Sequence, residues 1–186
     1  GGMLITNDAD FEDRLRLFAG HGMRPRYHHQ VIGINSRLDT IQAATLNVKM
    51  KHLESANIAR QKNAQLYTEL FDDAGLADNI VLPRSLYGTG HVWNQYTVRV
   101  KNGQRDSLKE FLAERNIGAE IYYPIPVHAQ ECYQTCPKIT MDLTETNRAA
   151  EEVLSLPIFP ELEEAEIQAV VAGVTSFYSM TQSQAA

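Results

Sequence analysis

Residues 33–44, GINSRLDTIQAA, gather Asn35, Ser36, Arg37 and Asp39 ahead of a run with helical periodicity. Ser36 followed three residues later by Asp39 fits a capping box and predicts a helix amino terminus at Arg37. Such a terminus offers unpaired amide hydrogens and a partial positive charge, which together attract phosphate. Arg37 adds a planar fork that binds phosphate through two hydrogen bonds, and Asn35 adds a neutral donor just outside the helix. Read on its own, the stretch is first of all a well-capped helix with an arginine in water. Its donors are nonetheless of the type and spacing that can hold a phosphate.

A second stretch, IYYPIPVHAQ at residues 121–130, places Tyr122 and Tyr123 at a predicted strand end, before a rigid Pro-x-Pro turn. His128 and Gln130 follow. Hydroxyl, imidazole and amide groups on a fixed edge suit a polar substrate such as a sugar, although half-buried tyrosines at a strand end are equally common. His21, His28 and His29 fall in a loop, where solvated histidines are the norm. His128, Cys132 and Cys136 recur at spacings of four, but zinc needs a fourth ligand and none of the usual paired spacings is present. These three read as ordinary side chains of an amphipathic turn, with no metal.

The elements that must position these groups follow from the pattern. Met3, Leu4, Ile5 and Thr6 read as a strand, abrupt for an amino terminus. Asp8 then caps a helix with Phe11, Leu15 and Phe18 on one side, ending at Gly20 or Gly22. Residues 20–34 form a long loop, of a length that is usually functional or mobile. A helical region without Gly or Pro runs from about Arg37 to Asp73, with a kink near His52 to Asn57. Its apolar stripe uses Leu38, Ile41, Thr45, Val48, Leu66 and Leu70. Beyond Asn79 the pattern is that of a compact α+β unit. His91–Val100 alternates as a half-buried strand, Asp106–Arg115 is a helix, and Gly118–Tyr123 is a second strand ended by Pro124 and Pro126. A helix over Thr144–Leu154, a strand over Leu156–Phe159 and a helix built on Ile167, Val170, Val171, Val174 and Phe177 complete it. The segment TQSQAA reads as a disordered tail.

Composition excludes several function classes. The chain has 186 residues, 44% hydrophobic and 22% charged, enough for a sizeable core. A net charge of -6 argues against nucleic acid or an anionic membrane as partner. No apolar run approaches the roughly 18 residues of a membrane span, no basic-then-apolar stretch suggests secretion, and two cysteines agree with a reducing compartment, so the expected location is the cytoplasm.

The strings GGMLITND, HGM, GINSRLDTIQAATL, HVWNQYTVRV, RNIGAEIYYPIPVH and EEVLSLPIFPEL occur in this order across nearly the whole chain. Together they resemble the carboxyl-terminal half of the DegT/DnrJ/EryC1/StrS sugar aminotransferases, pyridoxal-phosphate enzymes of the aspartate aminotransferase fold. The resemblance implies an α/β (α+β) architecture: a small, mainly antiparallel sheet flanked by helices, preceded by a strand, a helix and a long linking helix from the large domain. It divides the chain into a large-domain remnant with an active-site loop (1–36), an interdomain helical region (37–75), a carboxyl-terminal domain (76–180) and a tail (181–186).

The resemblance also reverses the reading of the first stretch. It implies that Asn35 and Arg37 reach the cofactor phosphate of the other subunit in a homodimer. It sets His21 at the active-site mouth, and Tyr122, Tyr123 and His128 on the sugar-nucleotide side. The implied reaction moves an amino group, typically from glutamate, onto a keto group of a nucleotide-linked sugar. That chemistry needs a Schiff-base lysine, which in relatives lies a few residues before the glycine pair opening this chain. Of the lysines present, Lys49, Lys51, Lys62, Lys101, Lys109 and Lys138, none matches the family's motif. The chain alone is therefore expected to be inactive, with no cofactor covalently bound. Two alternatives stand beside this: a non-catalytic regulatory or dimerisation module from a shortened gene, and a fragment of a related pyridoxal-phosphate sugar dehydratase.

Overall fold

Where the sequence offers Asp8 ahead of an amphipathic run, the computed structural model builds helix α1, Ala9–Ala19, with Asp8 Oδ1 accepting the Phe11 amide at 3.0 Å. The structure describes residues 2–86, 90–133, 135 and 141–185, without the side chains of 182–185. The chain divides into two units, residues 1–53 and 54–186.

In the first unit α1 is followed by a loop and by α2, Thr40–Met50. Met3–Thr6 form no strand. Their apolar side chains stand in water, with Met3, Leu4 and Ile5 all exposed. A ladder needs a neighbouring strand to take its amide and carbonyl groups, and this segment has none among the described residues. The predicted helix from Arg37 to Asp73 is two helices, α2 and α3, Leu53–Asp73, interrupted at Lys51 and His52. The break falls where a kink is expected, but the start is three residues later than Arg37.

The second unit is built around one apolar cluster. Its sheet is antiparallel, with β1, Ile80–Val81, and β3, Val153–Leu156, flanking β2, Tyr96–Val100. The register sets Tyr96 opposite Leu156, Val98 opposite Leu154 and Val100 opposite Ile80. All six are buried, so every cross-strand pair on that face is apolar. Helix α3 contributes Ala64, Tyr67 and Phe71; α4, Arg105–Ala113, contributes Leu108 and Leu112; α6, Glu164–Ala185, contributes Ile167, Val170, Val171, Val174 and Tyr178. These are spacings of three, four and seven, one face of each helix. Burial of such a side chain stabilises by roughly 1.5–3 kcal/mol before entropy is counted. Leu66 and Leu70 pack at the edge of the cluster, whereas the rest of the predicted stripe, Leu38, Ile41 and Val48, is exposed.

Polar groups fix the layers. The Tyr67 hydroxyl donates to the Pro157 carbonyl at 3.0 Å, and its ring stacks on Tyr96 at 4.9 Å. The Thr68 hydroxyl donates to Ala64 O, so the Tyr96 hydroxyl is the donor in its 3.0 Å bond to Thr68. On the other face of the sheet, Arg99 reaches Glu152 of α5, Thr144–Glu152, at 2.8 Å; Arg105 at the start of α4 donates to Ala150 O of α5 at 2.9 Å.

Several predicted boundaries move. The strand over His91–Val100 begins only at Tyr96, because Trp93 has φ of 47°, left-handed and incompatible with a ladder. Gly118–Tyr123 reduces to one bridge, Glu120 with Ser155, after which the Glu120 carboxylate takes the Ile121 amide. The strand expected at Leu156–Phe159 is Val153–Leu156: α5 ends two residues early and Pro157, lacking an amide hydrogen, stops the ladder. Helix α6 runs on to Ala185, through residues expected to be a disordered tail. Among the described residues no helix is long and apolar enough to cross a membrane.

Candidate functional site

A helix leaves its last four carbonyls unpaired, and those of α1 organise the loop that follows. Gly20 N–H is shared by Arg16 O and Leu17 O, and Gly22 N–H donates to Leu17 O at 2.8 Å. The remaining two carbonyls are met from further along the chain: Ile34 N–H donates to Phe18 O at 2.8 Å and Ser36 N–H to Ala19 O at 2.9 Å. Asn35 lies between them, in bridge pairing with Gly20.

Arg37 Nε donates to Asn35 Oδ1 at 3.0 Å, and both side chains are exposed. The pairing does not use the Asn35 amide NH2 or the terminal guanidinium nitrogens, and donors of that type suit a phosphate. The capping box is corrected. Leu38 has φ of 52°, so no helix passes through it, and Asp39 is the N-cap of α2, its amide donating to Gln42 Oε1 at 3.1 Å. Ser36 holds α1 instead. Arg37 therefore presents its charge from the turn before the helix and not from its first turn. Asp39-x-x-Gln42 was the competing signal in the sequence.

The loop itself is folded back on itself. His21 has φ of 64°; its amide donates to Ile34 O at 2.9 Å, and its carbonyl accepts from His29 Nδ1 at 2.9 Å. Arg24 pairs with Asp13 of α1 at 2.8 Å, and its guanidinium holds the Asp13 carboxyl below the ordinary value. His21, His29 and Gln30 line a shallow depression with Val31, Ile32 and Gly33. Of these partners, His29 and Asp13 carried no signal in spacing.

The other three candidate residues belong to the second unit. Tyr122 and Tyr123 follow the Glu120 bridge, exposed, with ring centroids 6.3 Å apart and nearly perpendicular. Tyr122 borders a depression shared with Asn94, Gln95, Glu120 and Ser155. His128 is half-buried on a single 3-10 turn, Val127–Ala129, and Gln130 Nε2 closes that turn on Ile125 O at 3.2 Å. Cys132 is exposed. Cys136 lies outside the described residues, and among those described no three His, Cys, Asp or Glu side chains are placed to hold a metal.

The lysines have other work. Lys101 donates to Ala77 O at 2.9 Å and Lys109 pairs with Glu120 at 2.8 Å. Lys49, Lys51 and Lys62 are exposed, and Lys138 lies outside the described residues.

Residues 1–175 match the model of the DegT/DnrJ/EryC1/StrS aminotransferase family. A pleiotropic regulatory protein of Geobacillus stearothermophilus is 43% identical, over 96% of this chain and 47% of its own length. A UDP-N-acetyl-3-dehydro-alpha-D-glucosamine 3-aminotransferase of Acidithiobacillus ferrooxidans is 40% identical, over 90% of this chain and 43% of its own. Among solved structures, S. venezuelae DesV in complex with a ketimine intermediate superposes with a TM-score of 0.76 at 36% identity, covering 93% of this chain and 45% of DesV. The chain spans about half the length of the relatives it matches. With the sheet, the first five helices, the start of α6 and the Asn35–Arg37 segment inside the matched region, the chain belongs to the DegT/DnrJ/EryC1/StrS aminotransferase family.

Proposed function

We propose that the chain is the carboxyl-terminal half of a cytoplasmic, homodimeric pyridoxal-phosphate enzyme that transfers an amino group from a glutamate-type donor onto a keto group of a nucleotide-linked sugar. The observation that carries this reading is the hydrogen-bonded Asn35–Arg37 pair, seated on the end of α1 within the matched segment. The donor set fits a phosphate. Pyridoxal phosphate, when bound, supplies the ring that accepts electrons as the amino group moves. Asn35 and Arg37 would hold its phosphate from the neighbouring subunit, the guanidinium compensating the charge and the Asn35 amide fixing one oxygen. His21 would face the mouth of the site. Tyr122, Tyr123 and His128 would offer hydroxyl and imidazole groups to the sugar nucleotide. None of the chain's lysines matches the family's motif, so the chain by itself is read as inactive.

The test is made on the protein at the length of its relatives, with glutamate and a nucleotide-linked keto sugar. Formation of 2-oxoglutarate that depends on the sugar is expected, and Arg37→Ala should weaken cofactor retention on dialysis by about tenfold or more, the loss of a charged hydrogen bond. Retention unchanged in Arg37→Ala removes the phosphate assignment. A second reading, a non-catalytic regulatory or dimerisation module, draws support from the name of the Geobacillus relative and from the exposed apolar side chains of residues 1–53. A stable dimer that consumes no glutamate would replace the first reading with this one.

A further inference from the structure

We infer that Gly22, Gly33 and His29 are positioning residues for the Asn35–Arg37 pair, a proposal that rests on the phosphate reading above. The geometry is a backbone crossing. A Cβ on Gly33 would stand 2.5 Å from Phe18 O and 2.6 Å from His21 C, with Gly22 N nearer still. A Cβ on Gly22, whose φ is 65°, would collide with Val31 O and lie 2.7 Å from Val31 C. These obstacles are backbone, so no rotamer change makes room.

The crossing brings Ile34 and Ser36 within reach of the last carbonyls of α1. A methyl group at position 33 must push that segment off the helix, and Asn35 leaves with it. Backbone and side-chain bonds fasten the crossing. Gln30 N–H donates to Gly22 O at 2.7 Å, and His29 Nδ1 meets His21 O at 2.9 Å. A carbonyl only accepts, so the Nδ1 position of His29 carries the proton. The His21 amide in turn holds Ile34 O, one residue before Asn35. His29 thus acts on the phosphate pair through His21 and Ile34, without touching the ligand.

The experiment is an NMR titration of the 186-residue chain with pyridoxamine 5'-phosphate, inorganic phosphate and pyridoxamine, none of which forms adducts with lysine. The Asn35 side-chain amide and Arg37 Nε–H signals should shift with the two phosphate-bearing probes and not with pyridoxamine. Gly33→Ala should weaken that binding by about tenfold and His29→Ala by roughly threefold. His29→Asn, which keeps a donor near the Nδ1 position, should restore it. Unmoved signals from α4 and α6 show that the second unit stays folded, and if Gly33→Ala disorders the first unit the His29 variants decide. Wild-type affinity in both Gly33→Ala and His29→Ala overturns the positioning role and leaves the phosphate reading standing. An unresponsive wild type overturns the phosphate reading and this inference with it.

Discussion

Residues 1–53 and residues 54–186 reach order by different routes. The second unit buries an apolar cluster drawn from three helices and three strands, including fully buried Tyr67, Tyr96, Leu108 and Leu154. The first buries no apolar side chain among its described residues, and Ile5, Ile32 and Ile41 stand 87%, 96% and 80% exposed. What orders its loop is backbone hydrogen bonding to the end of α1 and the close approach at Gly22 and Gly33. The lesson is that a segment can have well-specified local geometry without a core, while its global stability must come from elsewhere.

The contrast is broken most directly by equal chemistry in the two places. Leu154→Ala removes a side chain with no exposed surface and should cost about 2–5 kcal/mol, seen as a lower urea midpoint in Trp93 fluorescence. Ile41→Ala should stay within about 0.5 kcal/mol, read from hydrogen exchange of α2 amides. Similar losses at both would mean that the first unit hides a core.

A smaller effect is expected where charge, not packing, ties α5 to the sheet. Glu152 accepts from Arg99 at 2.8 Å and Arg148 at 3.1 Å. Burial acts to raise its carboxyl, but the two guanidinium groups win and hold it below its ordinary 4.5. A lowered folded value means stability present above pH 4.5 and lost as pH falls through the folded value. Glu152→Gln should cost about 1–2 kcal/mol at neutral pH and flatten the acid side of the stability profile in urea titrations.

The smallest change at neutral pH belongs to Tyr178. Its hydroxyl is buried without a partner, so Tyr178→Phe should be neutral or stabilising by up to about 1 kcal/mol. Burial pushes the hydroxyls of Tyr178 and Tyr96 up to about 12. The unfolded chain therefore releases protons first, and the second unit should hold full stability below pH 10 and lose it as pH rises toward 12. Thermal melts across that window should show a shallower loss in Tyr178→Phe; an unchanged slope would mean that the hydroxyl is not buried in solution.

The sequence carried the core more clearly than the site. Alternation marked Tyr96, Val98 and Val100, and helical spacing marked Ile167, Val170, Val171 and Val174, because burial imposes those periods. Boundaries failed where periodicity outlasted the conformation: Val92 and Asn94 keep the alternation of β2, yet Trp93 between them is left-handed. At Glu152 and Val153 a helix meets a strand with no Gly, Pro or Asn to mark the join. In the site, the residue types of Asn35 and Arg37 already suggested an anion. Their support did not, since contact between Gly22 and Gly33 is a through-space fact that leaves only two ordinary glycines in the sequence.

The loop after α1 also separates what must keep its length from what need not. Gly20–Gly22 and Gln30–Ser36 are tied by backbone bonds to α1 or to each other. The turn from Arg24 to His28 closes on itself, with Arg24 N–H on His28 O and His28 N–H on Pro25 O. Arg24 itself is tied to Asp13 of α1 and to Gln30, so insertions or deletions confined to Pro25–Tyr27 should leave the path from Gly33 to Arg37 unaltered. The same tip is where an epitope or a spectroscopic label can be grafted while the Gly33–Arg37 segment keeps its shape.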